Sequence, residues 1–151
     1  MIFAEAAQLL MQAGYYLEQS AQYAQAEPLY QRALAIREKT PGPEHPDTAT
    51  TLHQLARLYW RQGKYEQAEP LYQRALAISE KVLGPEHPST GTTLHGLAML
   101  YWWQGNYQQA EPLLQRALAI AEKVLGPNHP DTVRRRKDYA DLLQVMKQKR
   151  E

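Results

Sequence analysis

Histidine is the residue of this 151-residue sequence best suited to chemistry, and three of its five histidines recur at a fixed interval. His45, His87 and His129 stand 42 residues apart, each followed by proline in a Pro-Glu/Asn-His-Pro segment. A metal site needs ligands converging at about 2 Å from one point. Equivalent positions of successive structural repeats instead lie a repeat apart, so these three are read as loop histidines that help to begin a helix. His53 and His95 form a second equivalent pair and could approach one ligand without sharing one ion. Nucleophilic chemistry has less support. There is no cysteine, and Ser20, Ser79 and Ser89 sit in no Gly-rich strand-to-helix elbow. Glu27, Glu69 and Glu111 recur near helix starts, where a carboxylate suits the positive helix end, and are expected to stay solvated. No G-x-x-x-x-G-K-[ST] phosphate loop occurs. The expectation is a protein that is not an enzyme and carries no metal and no cofactor.

The elements that must position these residues follow from repetition. Gly42, Gly84 and Gly126 keep the 42-residue interval, as do Pro43, Pro85 and Pro127. Residues 43–84 match 85–126 at about four positions in five. A divergent copy occupies 1–42, and a half copy begins at Pro127. Within one unit, Leu52, Leu55, Ala56 and Tyr59 fall on one stripe of a helix. Gly63 interrupts the pattern, and a second stripe runs through Ala68, Leu71, Tyr72, Ala75, Ile78 and Ser79. Gly84-Pro85 then stops it, the expected signal at a helix C-terminus. The spacing predicts three helical hairpins, at about 1–42, 43–84 and 85–126, and a capping helix over about 130–150. All belong to one domain, 1–151. Pro28, Pro70 and Pro112 lie too deep in each second helix for the first-turn exemption, so each should cost one backbone hydrogen bond. Ala21 stands where later copies have glycine, so that turn should change conformation or be less stable.

The net charge of +1 gives no global attraction to nucleic acid or a membrane surface. The run Arg134-Arg135-Arg136-Lys137 is interleaved with Asp131, Asp138 and Asp141 and reads as a polar cap rather than a nucleic-acid patch. No apolar run approaches the roughly 20 residues of a membrane span. The start Met1-Ile2-Phe3-Ala4-Glu5 lacks a signal peptide's basic and apolar pattern. A soluble cytoplasmic chain is expected.

The pattern Leu52, Leu55-Ala56, Tyr59, Gly63, Tyr65, Ala68, Tyr72, Ala75 resembles the tetratricopeptide repeat. The 42-residue period exceeds the usual ~34. In this it is similar to the kinesin-light-chain subtype, as are Lys64–Leu76 and Lys81–Pro88. The resemblance implies an all-α right-handed solenoid whose first helices line a concave groove for a peptide segment of a partner protein. It places Tyr15, His53, Gln54, Arg57, Trp60, Arg61, His95, Met99, Trp102, Trp103, Arg134 and Lys137 in that groove. Gln8, Met11, Gln12, Glu18, Thr50, Asp138 and Asp141 join them. The family's groove Asn-Asn pair appears here as His53-Gln54 and His95-Gly96. Large aromatics and arginine dominate binding hot spots. The expected ligand is therefore an acidic segment bearing one large apolar side chain, with Glu18 opposing it locally. The rival expectations are a self-associating solenoid, hence a homo-oligomer, and a sensor segment of a larger signalling ATPase.

Overall fold

A computed structural model describes residues 2–150, which form seven α-helices and no strand. They are α1 (Ile2–Gln19), α2 (Tyr23–Lys39), α3 (Pro46–Arg61), α4 (Tyr65–Val82), α5 (Pro88–Trp103), α6 (Tyr107–Ile120) and α7 (Pro130–Arg150). A π-helical turn, Ala121–Leu125, extends α6. The three hairpins and the single last helix stand where the repeat places them. The chain divides into two compact units at Ile78/Ser79, inside α4.

Each long loop closes with the same parts. In all three, the histidine caps the next helix: Nδ1 of His45, His87 and His129 accepts the backbone N–H of Asp47, Ser89 and Asp131 at 3.0, 3.0 and 3.1 Å. Proline follows at the first helical position, where its missing N–H costs nothing. Thr48 and Thr90, fully buried, donate to the carbonyls of Gly42 and Gly84 and tie each loop back to its own start.

Pro28, Pro70 and Pro112 lie inside α2, α4 and α6, which run on through them. Along the helices the apolar stripes are buried as the spacing requires. Leu52, Leu55, Ala56, Tyr59, Ala68, Tyr72, Ala75 and Ile78 all fall in the core, and Leu71 is half-buried. Their counterparts Leu94, Leu97, Ala98, Tyr101, Ala110, Leu114, Ala117 and Ile120 form the core of the second unit.

Within each unit, the interface between a second helix and the next first helix is filled by complementary sizes. In the first unit, Arg37 of α2 reaches across to donate to Thr51 Oγ1 of α3 at 2.9 Å. In the second unit the large and small residues change sides. Ala121 stands at the position of Arg37, and Arg135 of α7 stands at that of Thr51. Arg135 reaches back to the carbonyl of Ala117 at 3.1 Å. A Cβ on Gly91 would lie 3.0 Å from Arg135 Nη1, so the glycine in α5 makes room for this guanidinium.

Ala21 has φ of +59°, beside +75° and +80° at Gly63 and Gly105. The residue after each closes the same turn, with Gln22, Lys64 and Asn106 donating to Leu17, Tyr59 and Tyr101 at 2.8 Å. The first hairpin thus keeps the glycine conformation with an alanine in it, and the strain is local. Ala21→Gly is expected to stabilise the chain by about 1 kcal/mol. Thermal melting checks this, and native-state hydrogen exchange of α1 should slow in parallel. An unchanged melting temperature would mean that the turn relaxes in solution.

Candidate functional site

In the first unit the expected groove residues gather around a buried carboxylate. Glu18 lies in the last turn of α1 and is 1% exposed. Arg57 Nε donates to its Oε1 at 2.9 Å and Arg57 Nη2 to its Oε2 at 3.0 Å. Arg61 Nη1 stands 3.4 Å from Oε1, and the Tyr30 hydroxyl donates to Oε2 at 2.8 Å. One carboxylate therefore holds two guanidiniums of α3 and a phenol of α2, the bidentate geometry that makes arginine pairs strong. Burial opposes the Arg57 charge, but the hydrogen bond and charge of Glu18 outweigh it and raise the guanidinium above its ordinary range. Burial, then the hydrogen bond and charge of Glu18, push the Tyr30 phenol well above the usual tyrosine range. Burial does the same for Tyr72, whose ring meets His53 edge-on at 5.5 Å between centroids. The Arg57 guanidinium also lies over the Tyr15 ring, 5.7 Å from its centroid.

Glycine makes this arrangement possible. Gly14 stands at the position of Ala56 and Ala98, and a Cβ there would come within 2.6 Å of the Tyr30 ring. The ring can lie against α1 and reach Glu18 only because that Cβ is missing.

Beside the cluster is a cavity of about 350 Å³. Gln8, Met11, Gln12 and Tyr15 of α1 line it with Thr50 and Gln54 of α3, all positions expected in the groove. Gln54 Oε1 is buried and has no hydrogen-bond partner. A buried acceptor left unpaired costs about 1–3 kcal/mol.

In the second unit the equivalent positions change chemistry. Met99 and Trp103 of α5 stand where α3 has Arg57 and Arg61, and Trp102 repeats Trp60. Trp102 and Met99 are half-buried, and Trp103 is 61% exposed. His95 of α5 pairs with Asp138 of α7, Nε2 to Oδ2 at 2.8 Å. Arg134 pairs with Asp131 at 2.9 Å, and Lys137 with Asp141 at 3.0 Å. The hydrogen bond from Lys137 to Asp141 raises its ammonium above the ordinary range. Burial lowers the guanidinium of Arg135, which sits inside the α6–α7 packing and off the surface.

These pairings revise the expected electrostatics. Glu18 does not face a ligand but neutralises Arg57 from within, and partially Arg61. Arg134 and Lys137 likewise have carboxylate partners, so the free positive field is smaller than the residue types suggest. Glu27, Glu69 and Glu111 are half-buried rather than solvated. The roles of Tyr30, Arg37 and Arg135 could not be read from spacing, because each depends on a partner far along the chain.

A larger cavity, about 670 Å³, lies in the second unit between the 83–88 loop and α6. It includes none of the expected groove positions, and a Lys123–Glu86 ion pair of 2.7 Å joins two of its lining residues. The smaller cavity carries the orphaned amide and the gathered positions, and is the better candidate site. Among the described residues, no three metal-ligating side chains come together. No helix among them is long and apolar enough to cross a membrane.

Hairpins of this kind, with helix-packed Ala and Tyr at fixed positions and a glycine turn, define a tetratricopeptide-repeat protein. The sequence profile of the Nephrocystin-3 TPR domain matches residues 2–149, and the chain belongs to that family. It is similar to the nearly identical TPR-like repeats of a kinesin light chain from Podosopora anserina, with 32% identity and a TM-score of 0.85. That match covers 93% of this chain and 67% of the other. BtubC from P. vanneervenii is 21% identical with a TM-score of 0.85, over 93% of this chain and 56% of that one. The chain thus spans a little over half of one relative's length and two thirds of the other's. The chaperone SycD of Yersinia enterocolitica, solved with a peptide of the translocator YopD, shares the fold at 17% identity and a TM-score of 0.71, covering 95% of this chain and 94% of that one. No curated protein sequence matches this one.

Proposed function

We propose that this chain is a cytoplasmic, non-catalytic adaptor that holds a peptide segment of a partner protein against the first helices of its hairpins. In the first unit the contact residues are Tyr15, His53, Gln54, Arg57, Trp60 and Arg61. In the second they are His95, Met99, Trp102 and Trp103 of α5, with Arg134 and Lys137 of α7. One observation carries this reading. The second and third repeats differ at only nine positions, and three of these, Gln54/Gly96, Arg57/Met99 and Arg61/Trp103, lie among the expected contact positions. In the first unit Arg57 and Arg61 are also partners of Glu18, whereas the second unit presents Met99 and Trp103 at the same positions, so the two units offer a ligand different chemistry. The fold relative solved with a translocator peptide supports the same use of the repeat.

The chemistry divides between the units. Gln54 supplies a hydrogen-bond acceptor beside a small cavity, and the two guanidiniums on one carboxylate leave a partial positive charge. Met99, Trp102 and Trp103 supply an apolar anchor. Because most cations are already paired, the anchor outweighs the charges, and salt dependence should be modest. Trp102→Ala is expected to weaken binding of an acidic peptide bearing one large apolar side chain by about 2 kcal/mol, near thirtyfold. Fluorescence anisotropy with labelled acidic, neutral and basic peptides measures it. A preference for basic peptides, or indifference to Trp102→Ala, would overturn the reading.

A further inference from the structure

Arg37 of α2 is a buried cation at a position where the later copies have a small residue. It is 8% exposed, and Ser79 and Ala121, both buried, stand at its place one and two repeats on. The second copy keeps threonine, Thr93, at the place of Thr51, so the facing threonine does not itself call for an arginine. Arg37 Nη1 donates to Thr51 Oγ1 at 2.9 Å and to the backbone carbonyl of Asp47 at 3.3 Å. Its Nη2 donates to Gln8 Oε1 at 3.0 Å. All three acceptors are neutral, and among the described residues no carboxylate pairs with this guanidinium. Asp47 gives it only a carbonyl, its carboxylate standing 3.8 Å from His45 Nδ1. A buried guanidinium held by neutral groups alone keeps much of its desolvation cost, which a bidentate carboxylate would offset.

Arg37 and its partner Gln8 both line the cavity of about 350 Å³ in the first unit. Gln12, Tyr15, Thr50 and Gln54 of the same lining are groove positions, so a segment lying along α1 and α3 passes over this cavity. The exposed Gln12 amide and Tyr15 hydroxyl are donors for a second oxygen. Gln54 Oε1 is an acceptor and takes no part in holding an anion. The volume sits at the small end of ligand sites, with room for one side chain rather than a cofactor. We propose that this cavity is a carboxylate subsite, in which Arg37 pairs with an acidic side chain of the bound peptide segment. The source of the carboxylate rests on the peptide reading above, but the cation comes from a second helix, outside the contact positions named there. The acidic preference of the first unit then belongs to Arg37 rather than to Arg57 and Arg61, whose charge Glu18 already offsets in part.

The test follows the side-chain Nε–H resonance of Arg37 by nuclear magnetic resonance in the isotope-labelled chain. N-acetylglutamate amide should shift it saturably, whereas N-acetylglutamine amide, or chloride at matched ionic strength, should leave it in place. Gln8→Glu puts a carboxylate where Gln8 Oε1 already accepts from Arg37. It should therefore raise the melting temperature and weaken binding of the glutamate fragment about tenfold or more. Arg37→Ser installs the residue of the second copy and should weaken the fragment to the same degree, with circular dichroism confirming the fold. Should Arg37→Ser melt early, Gln8→Glu carries the test alone, since Gln8 is exposed. With labelled peptides, both variants should weaken an acidic peptide and leave a neutral one unchanged, whereas Trp102→Ala weakens both. Acidic peptides that depend on Trp102 but on neither Arg37 nor Gln8 would overturn the subsite and leave the peptide reading standing. Fragment binding lost in both variants, with no peptide bound by the parent, would support the subsite and overturn its assignment to a peptide. An unmoved Arg37 resonance, an equal shift with chloride or the glutamine fragment, or a lower melting temperature for Gln8→Glu would overturn the proposal outright.

Discussion

Replacing Glu18 with alanine is expected to destabilise the first unit by about 2–3 kcal/mol, the largest loss of any single polar substitution in the chain. Removing one partner of a buried ion pair costs about 3–5 kcal/mol when the other charge stays buried. Here the arginine side chains are 26% and 31% exposed, so part of that cost returns as hydration. The Tyr30 hydroxyl, donor to Glu18, has no such escape, because Tyr30 is fully buried. Glu18→Gln should cost less, since an amide oxygen can still accept from one donor. Double-mutant cycles on Glu18 and Arg57 should return a coupling of about 1–3 kcal/mol. Chemical denaturation of the four proteins measures this, and a coupling near zero would mean that the pair is solvated in solution. The functional consequence runs the other way. Freed from Glu18, Arg57 and Arg61 are open to an external carboxylate, so the folded fraction of Glu18→Ala should bind acidic peptides more tightly and with steeper salt dependence.

How much of this was legible in the sequence depends on the range of the interaction. The hairpins, their boundaries and the buried stripe of Leu55, Ala56, Tyr59, Ala68 and Ala75 come from local periodicity, and each copy confirms the last. The loop histidines were legible as helix starters for the same reason, since Pro-x-His-Pro puts a ring nitrogen two residues before the N–H it accepts. The Glu18 cluster was not. Its members come from α1, α2 and α3, and at the places of Glu18, Arg57 and Arg61 the following copy has Trp60, Met99 and Trp103, so repetition gave no guide. Gly14 was the one available signal, a glycine inside a helix where the other copies have alanine. Such a residue lowers helix stability by about 1 kcal/mol and therefore marks a close approach. Arg37 and Arg135 were hidden for a related reason. Each fills a space set by a small residue on the facing helix, and the exchange of sides between units appears only when the helices are packed.

The small residues of the core give the second large effect. Ala75 is fully buried among Ala49, Leu52 and Ile78, with Leu34 and Leu71 against the same cluster. A leucine there adds three carbons where α2, α3 and α4 meet, against the fully buried Leu52 and the nearly buried Ala49 and Ile78. Overpacking of this kind costs about 1–3 kcal/mol, so Ala75→Leu should lower the melting temperature by about 2–4 °C for each kcal/mol in a chain of this size. Ala77→Leu supplies the control. It lies two residues along the same helix, makes the same change in composition and helix propensity, and is exposed. Any difference between the two variants therefore reports packing alone. Ala56→Leu, on the facing α3, should behave as Ala75→Leu does, because Ala56 is equally buried. Melting followed by circular dichroism decides the matter. Equal melting temperatures for Ala75→Leu and Ala77→Leu would mean that α2, α3 and α4 are not packed this closely, and the small residues would then need another explanation.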